Sequence, residues 1–127
     1  MVTTNNYFKK VEVKNMGTNA AMINFVFHNA STALGTGAEL SIQGRMLTGN
    51  IALTGTSSSF SVTFEGRAVD GGEWYPLKAI NLSTFALSSI ATVMSLWSVD
   101  LNGMIKFRVN LTAIGNGNLS VVGRIVD

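Results

Sequence analysis

The chemistry open to this chain is bounded by seven acidic residues, one histidine and no cysteine. Acid–base or nucleophilic catalysis needs paired carboxylates, or a histidine in reach of a nucleophile. Glu65 and Glu73 flank the turn Asp70-Gly71-Gly72 and could face each other across a hairpin as a carboxylate pair. The plainer reading, two solvated charges beside a turn, is preferred. Glu12, Glu39, Asp70, Asp100 and Asp127 mostly stand singly on strands and turns. His28 closes an apolar run beside Asn29, where a hydrogen-bonded or solvated imidazole is expected rather than a base or a metal ligand. Gly115-Asn116-Gly117 serves a turn and lacks the G-x-x-x-x-G-K-[ST] string that cradles phosphate. Asp70-Gly71-Gly72 is too short for a calcium loop. No catalytic, cofactor or metal residue is therefore assigned, and the expectation is a protein that is not an enzyme.

Binding is a different matter. Trp74, Tyr75 and Trp97 are the side chains suited to stack on a sugar ring or to anchor an interface. For Trp74 the first expectation is a plug in the core beneath the hairpin. Interface anchoring ranks second and a sugar platform third. At the N-terminus, Tyr7, Phe8, Lys9 and Lys10 open a stretch that reads as an edge strand protected by lysines. Alternatively, residues 1–14 form an extended arm that docks on a neighbouring subunit.

The chain has 127 residues, enough for one domain over 1–127 to bury a core without staples. Its hydrophobic fraction of 46% is ordinary, but charged residues make up only 13%, about half the usual share. A surface so poor in charge is either polar through Ser, Thr and Asn or partly covered by neighbours in an assembly. The net charge of +2 is spread singly apart from Lys9-Lys10, so no footprint for nucleic acid is present. The first ten residues lack the apolar stretch of a signal peptide, and no run reaches the ~18 apolar residues of a membrane span. Synthesis in the cytoplasm, with no membrane partner, is the expectation.

Strand-length pieces separated by turn signals predict an all-β fold: a single antiparallel β-sandwich, jelly-roll or Ig-like, of about eight strands. Ala20 to Phe27 reads as a buried strand, and Leu40 and Ile42 point inward from Glu39–Gln43. Another short strand is read around Arg45–Thr48, and Ile51–Thr54 alternates again. Phe60, Val62 and Phe64 alternate with Ser61, Thr63 and Glu65, and the run Trp74–Leu77 returns as a hairpin. Residues 83–95 admit a helical stripe, but their serines and threonines favour a loop through Ser83–Ser89 and then a strand near Val93–Leu101. Ile105–Thr112 and Leu119–Val126 alternate on both sides of Gly115–Asn118 and are predicted to pair as a hairpin, with Arg108 and Arg124 able to share a face.

Several of these strings together resemble a family of small structural proteins of tailed bacteriophages and prophages. The resemblance is carried by Thr54-Gly55-Thr56, by Phe60-x-Val62-x-Phe64-Glu65-Gly66 and by Asp70-Gly71-x-x-Trp74-Tyr75-Pro76-Leu77. It continues through Val99-Asp100-Leu101-Asn102-Gly103, Phe107-Arg108-Val109 and Gly117 to Gly123. Arg67 stands where serine is common, Trp97 stands where tyrosine is common, and residues 1–49 lie outside the pattern. The resemblance implies a β-sandwich virion component with no catalytic residues to carry over. It implies attachment to the major capsid protein as a decoration or cement protein, or to tail or neck proteins. A homo-oligomer, a trimer among the options, would suit such a symmetric surface. A carbohydrate-binding module is the remaining alternative.

Overall fold

The computed structural model describes residues 22–42 and 47–126. Tyr7, Phe8, Lys9 and Lys10, the arm or edge strand over 1–14, and Arg45 and Met46 of the strand read around Arg45–Thr48 lie outside them. Among the described residues are eleven strands and no helix. They are β1 (Met22–Ser31), β2 (Leu40–Ser41), β3 (Thr48–Gly55), β4 (Ser59–Arg67), β5 (Tyr75–Pro76) and β6 (Ala79–Asn81). β7 (Leu87–Ser88), β8 (Ile90–Ala91), β9 (Leu96–Asp100), β10 (Lys106–Gly115) and β11 (Leu119–Val126) complete the order. The excess over the expected eight consists of two- and three-residue pieces.

Two antiparallel sheets form a β-sandwich. One runs β1-β11-β3-β9-β6-β7 and the other β2-β10-β4-β5, with β8 also on β4. The alternation read in the sequence selects the inner faces. Phe60, Val62 and Phe64 of β4 are buried, as are Phe107, Val109 and Leu111 of β10. From the six-stranded sheet come Ile51, Leu53, Trp97, Val99, Leu119, Val121 and Ile125. Two aromatic pairs join the sheets: Phe27 meets Phe107 edge-on at 5.4 Å and 87°, and Phe64 meets Trp97 at 5.4 Å. Gly123 makes room for this contact. A Cβ there would stand 2.8 Å from the Phe27 ring and 2.9 Å from Ile51 Cδ1.

Three expectations are corrected. The C-terminal strands do not form a hairpin: β10 pairs with β4 and β2, whereas β11 pairs with β1 and β3 in the other sheet. Gly115–Asn118 is therefore an arch between sheets, lying beside the similar β3–β4 crossing. Thr56 and Ser57 donate their N–H groups to Asn118 O at 3.0 Å each, and Ser57 Oγ donates to Gly115 O at 2.6 Å. Arg108 and Arg124 consequently lie on opposite outer faces. A hairpin and an arch need the same turn residues and the same alternation; only the choice of partner strand separates them.

Among the described residues the apolar run ending at Phe27 lies on an outermost strand, since β1 pairs there with β11 alone. Phe27 is buried while Val26 is exposed, so the run is apolar on both faces without being buried on both. In residues 83–95 the loop-then-strand reading holds in outline, but β7 and β8 interrupt it and β9 starts at Leu96. Asn81 organises the turn, accepting from Ser83 N on Oδ1 at 2.9 Å and from Phe85 N on its carbonyl at 2.6 Å.

Candidate attachment surfaces

The two sheets turn different outer faces to solvent. On β4 and β10 the residues between the buried ones are charged or polar, and register sets Glu65 beside Arg108 and Arg67 beside Lys106. Arg108 Nε donates to Glu65 Oε1 at 2.7 Å, with both side chains about one-sixth exposed. Such a charge-assisted bond is worth about 1.5–3 kcal/mol. Glu39, just before β2, lies 3.4 Å from Lys106 Nζ and 3.9 Å from Arg108 Nη1. Asn110 donates to the second Glu65 oxygen at 3.4 Å.

Trp74 completes this face. Tyr75 pairs with Gly66, so the residue before it comes level with Arg67, which points outward. Its indole covers two guanidiniums, with Arg108 Cζ at 3.9 Å and Arg67 Cζ at 4.9 Å from the ring centroid. The expected core plug is thus corrected to a half-buried lid on the charged face. The core beside Gly66 is already filled, since a Cβ there would meet Leu77 Cδ1 at 2.6 Å and Met104 Sδ at 2.9 Å.

The six-stranded sheet presents a different outer face. Directly paired residues on antiparallel strands share a side, and pairing aligns Val26, Val122, Ala52 and Leu96 in one row. Leu82 follows, its N–H donating to Leu96 O at 2.9 Å. The adjacent row runs Asn24, Arg124, Asn50 and Ser98 and ends in Ile80 and Leu87. Val26, Val122, Leu96 and Leu87 remain 51%, 40%, 43% and 63% exposed. Water thus meets an apolar band crossing a sheet about 24 Å wide. Contiguous exposed apolar residues of this kind mark interaction surfaces. Phe85 and Val93 add further exposed apolar side chains in the neighbouring connections.

The sequence-derived aromatics do not share a surface. Trp97 is 4% exposed and packs on Phe64, its indole N–H donating to Ser95 Oγ at 2.8 Å. It offers no ring face to a ligand. Tyr75 is 61% exposed at the sheet edge, and Trp74 lies against arginines. Glu65 and Glu73 are likewise apart in role: Glu65 is paired with Arg108, and Glu73 is exposed in the turn. No cluster of three His, Cys, Asp or Glu side chains suited to a metal occurs among the described residues. Sequence reasoning did not single out Arg67 and Glu39, or the apolar band. Alternation places Arg67 and Glu65 outward, but their partners depend on the β4–β10 and β10–β2 pairings.

His28 is structural. It is buried at an irregularity in the β1–β11 ladder. Nε2 bonds Val109 O of the opposite sheet at 2.6 Å and Nδ1 lies 3.1 Å from Ser31 Oγ. A carbonyl only accepts, so Nε2 carries the proton. Gly37, at φ 69°, lets the chain pass over the ring, where a Cβ would lie 2.6 Å from Nε2. Replacing His28 with alanine is expected to lower stability by about 1–3 kcal/mol by orphaning the carbonyl and removing the ring. Urea denaturation measures this, and a change below about 0.5 kcal/mol would contradict the inter-sheet role.

Comparison with known proteins agrees with this architecture. The crystal structure of the SPBc2 prophage-derived protein YomS superposes with a TM-score of 0.80 at 23% identity, covering 90% of this chain and all of that one. The crystal structure of the PBSX exported protein XepA gives a TM-score of 0.82 at 21% identity, covering all of this chain and 49% of that one. The chain therefore spans about half the length of XepA. No curated protein matches it in sequence. The XepA family model matches residues 21–125, nearly the whole of both sheets, and the chain belongs to the XepA family.

Proposed function

We propose that this protein is a non-enzymatic structural component of a tailed-phage virion that binds assembled virion subunits, in the first place as a capsid decoration or cement protein. A tail or neck accessory role is the second reading. Phage association is supported by membership of the XepA family and by the prophage origin of YomS. The observation that carries the binding role is the apolar band on the outer face of the six-stranded sheet. Val26, Val122, Leu96 and Leu87 sit on a surface low in charge, where burial against another protein releases water from apolar area. A sandwich braced by aromatic pairs supplies a rigid platform that need not reorganise on binding, which lowers the cost of association.

On a shell or tube the same contact repeats around a symmetric array. Modest affinity at each copy then suffices, and homo-oligomerisation, a trimer included, would raise it further. The place of action in this reading is the virion, after synthesis in the host cytoplasm. A carbohydrate-binding role draws less support, because Trp97 is buried and the Trp74 ring already engages two arginines.

The test is to mix the purified protein with capsids and tails that lack it and to image both by electron microscopy. Ordered density on the shell lattice is the expected result. Density on tails alone would select the second reading, and no density on either would overturn attachment.

A further inference from the structure

We infer that the Arg67–Trp74–Arg108 cluster on the outer face of the five-stranded sheet is a recognition site for a carboxylate side chain of a partner protein. The inference goes beyond virion attachment and concerns the face opposite the apolar band.

The first ground is charge. Lys106, Arg67 and Arg108 stand on adjoining positions of β10 and β4, against two carboxylates, Glu39 and Glu65. Both carboxylates are spent on Lys106 and Arg108. Among the described residues no ion pair reaches Arg67, so of these three cations it alone has no carboxylate partner there. The second ground is orientation. Arg67 Nε is buried without an acceptor, and the guanidinium lies near the Trp74 ring. The indole restrains a side chain that would otherwise be mobile, so less entropy is lost when its fork meets an anion.

The third ground is chemical selectivity. A planar guanidinium matches the two oxygens of a carboxylate through paired N–H donors. Trp74 shields Arg67 and Arg108 on one side, which strengthens a charge interaction made beside it. The same engagement argues against a neutral sugar as ligand, because stacking would have to displace arginine from the ring. An acidic protein surface needs no such displacement. Its Asp or Glu would enter beside Arg67 and extend the Glu39–Lys106 and Glu65–Arg108 pairing outward by one member.

The test is a titration of the full chain with a hexaglutamate peptide. It is followed by NMR of the Arg67 Nε–H and Trp74 Nε1–H groups, with Arg124 on the other face as an internal control. Saturable shifts of Arg67 and Trp74 below about 10 mM peptide, with Arg124 still, are expected, and they should weaken about tenfold between low and 0.5 M salt. Arg67→Gln should abolish the Trp74 shift, and Arg67→Lys should weaken it by retaining charge without the fork. No shift at Arg67, or equal shifts at Arg67 and Arg124, would overturn the site. A response to glucuronate oligosaccharide but not to the peptide would overturn the assignment to protein. Because the readout needs no virion, its failure is distinct from a failure to bind capsids or tails.

Discussion

Replacing Phe107 with alanine is expected to lower the unfolding free energy by about 3–5 kcal/mol. Phe107 is fully buried at the junction of the two sheets, where its ring meets Phe27 edge-on. Truncation removes the inter-sheet aromatic contact and leaves a cavity that neither sheet can close. β10 is clamped between β4 and β2, and β1 and β11 are held in register opposite. With a total stability of about 5–15 kcal/mol for such a domain, this is a large share. Urea denaturation should show a midpoint lower by roughly 2 M with an unchanged slope. A control at an exposed site, Leu82→Ala, should stay within about 0.5 kcal/mol. A loss below about 1 kcal/mol at Phe107 would mean that the rings do not hold the sheets together.

The second large effect concerns attachment. Val122→Glu combined with Leu96→Glu places two carboxylates in the middle of the apolar band, one on each side of Ala52. Both sites are about two-fifths exposed, so the folded monomer should lose no more than about 1 kcal/mol. Docking against another apolar surface would bury those charges without partners, and affinity for particles should fall at least about tenfold, equivalent to ~1.4 kcal/mol. Co-sedimentation with particles lacking the protein measures the loss, and the melting temperature checks the fold. Undiminished binding by a folded double variant would remove the band from the contact. Attachment would then have to be sought elsewhere, the charged face included.

These two effects divide the molecule as the alternating sequence divides it. Residues pointing inward set stability, and residues pointing outward set what the protein can touch. The outward set is not uniform. β4 and β10 alternate apolar residues with Glu65, Arg67, Lys106 and Arg108, whereas β11 alternates them with Val122 and Val126 as well as Ser120 and Arg124. A strand that stays apolar on its wet side reads in sequence as more deeply buried than it is. That is why the run ending at Phe27 reads as a buried strand although Val26 on it is exposed.

Local pattern alone was enough to read the β-sandwich class, the inward residues of β3, β4, β10 and β11, and the positions where the chain reverses. Period-two alternation and turn residues act over a few positions, so they survive without knowledge of the fold. The resemblance to phage structural proteins also rested on such local strings, and the match to the XepA family agrees with it at the level of phage association. Which strands are neighbours is a property of the folded molecule. Gly115–Asn118 permits a hairpin or an arch equally well, and the choice depends on β10 burying its apolar side against the opposite sheet, where Phe107 meets Phe27, while pairing with β4. From that choice follow the opposite outer faces of Arg108 and Arg124, the union of Arg67, Arg108 and Trp74, and the apolar row from Val26 to Leu96. Each surface is assembled from residues far apart in the chain, and the energies that join them arise only when whole sheets pack.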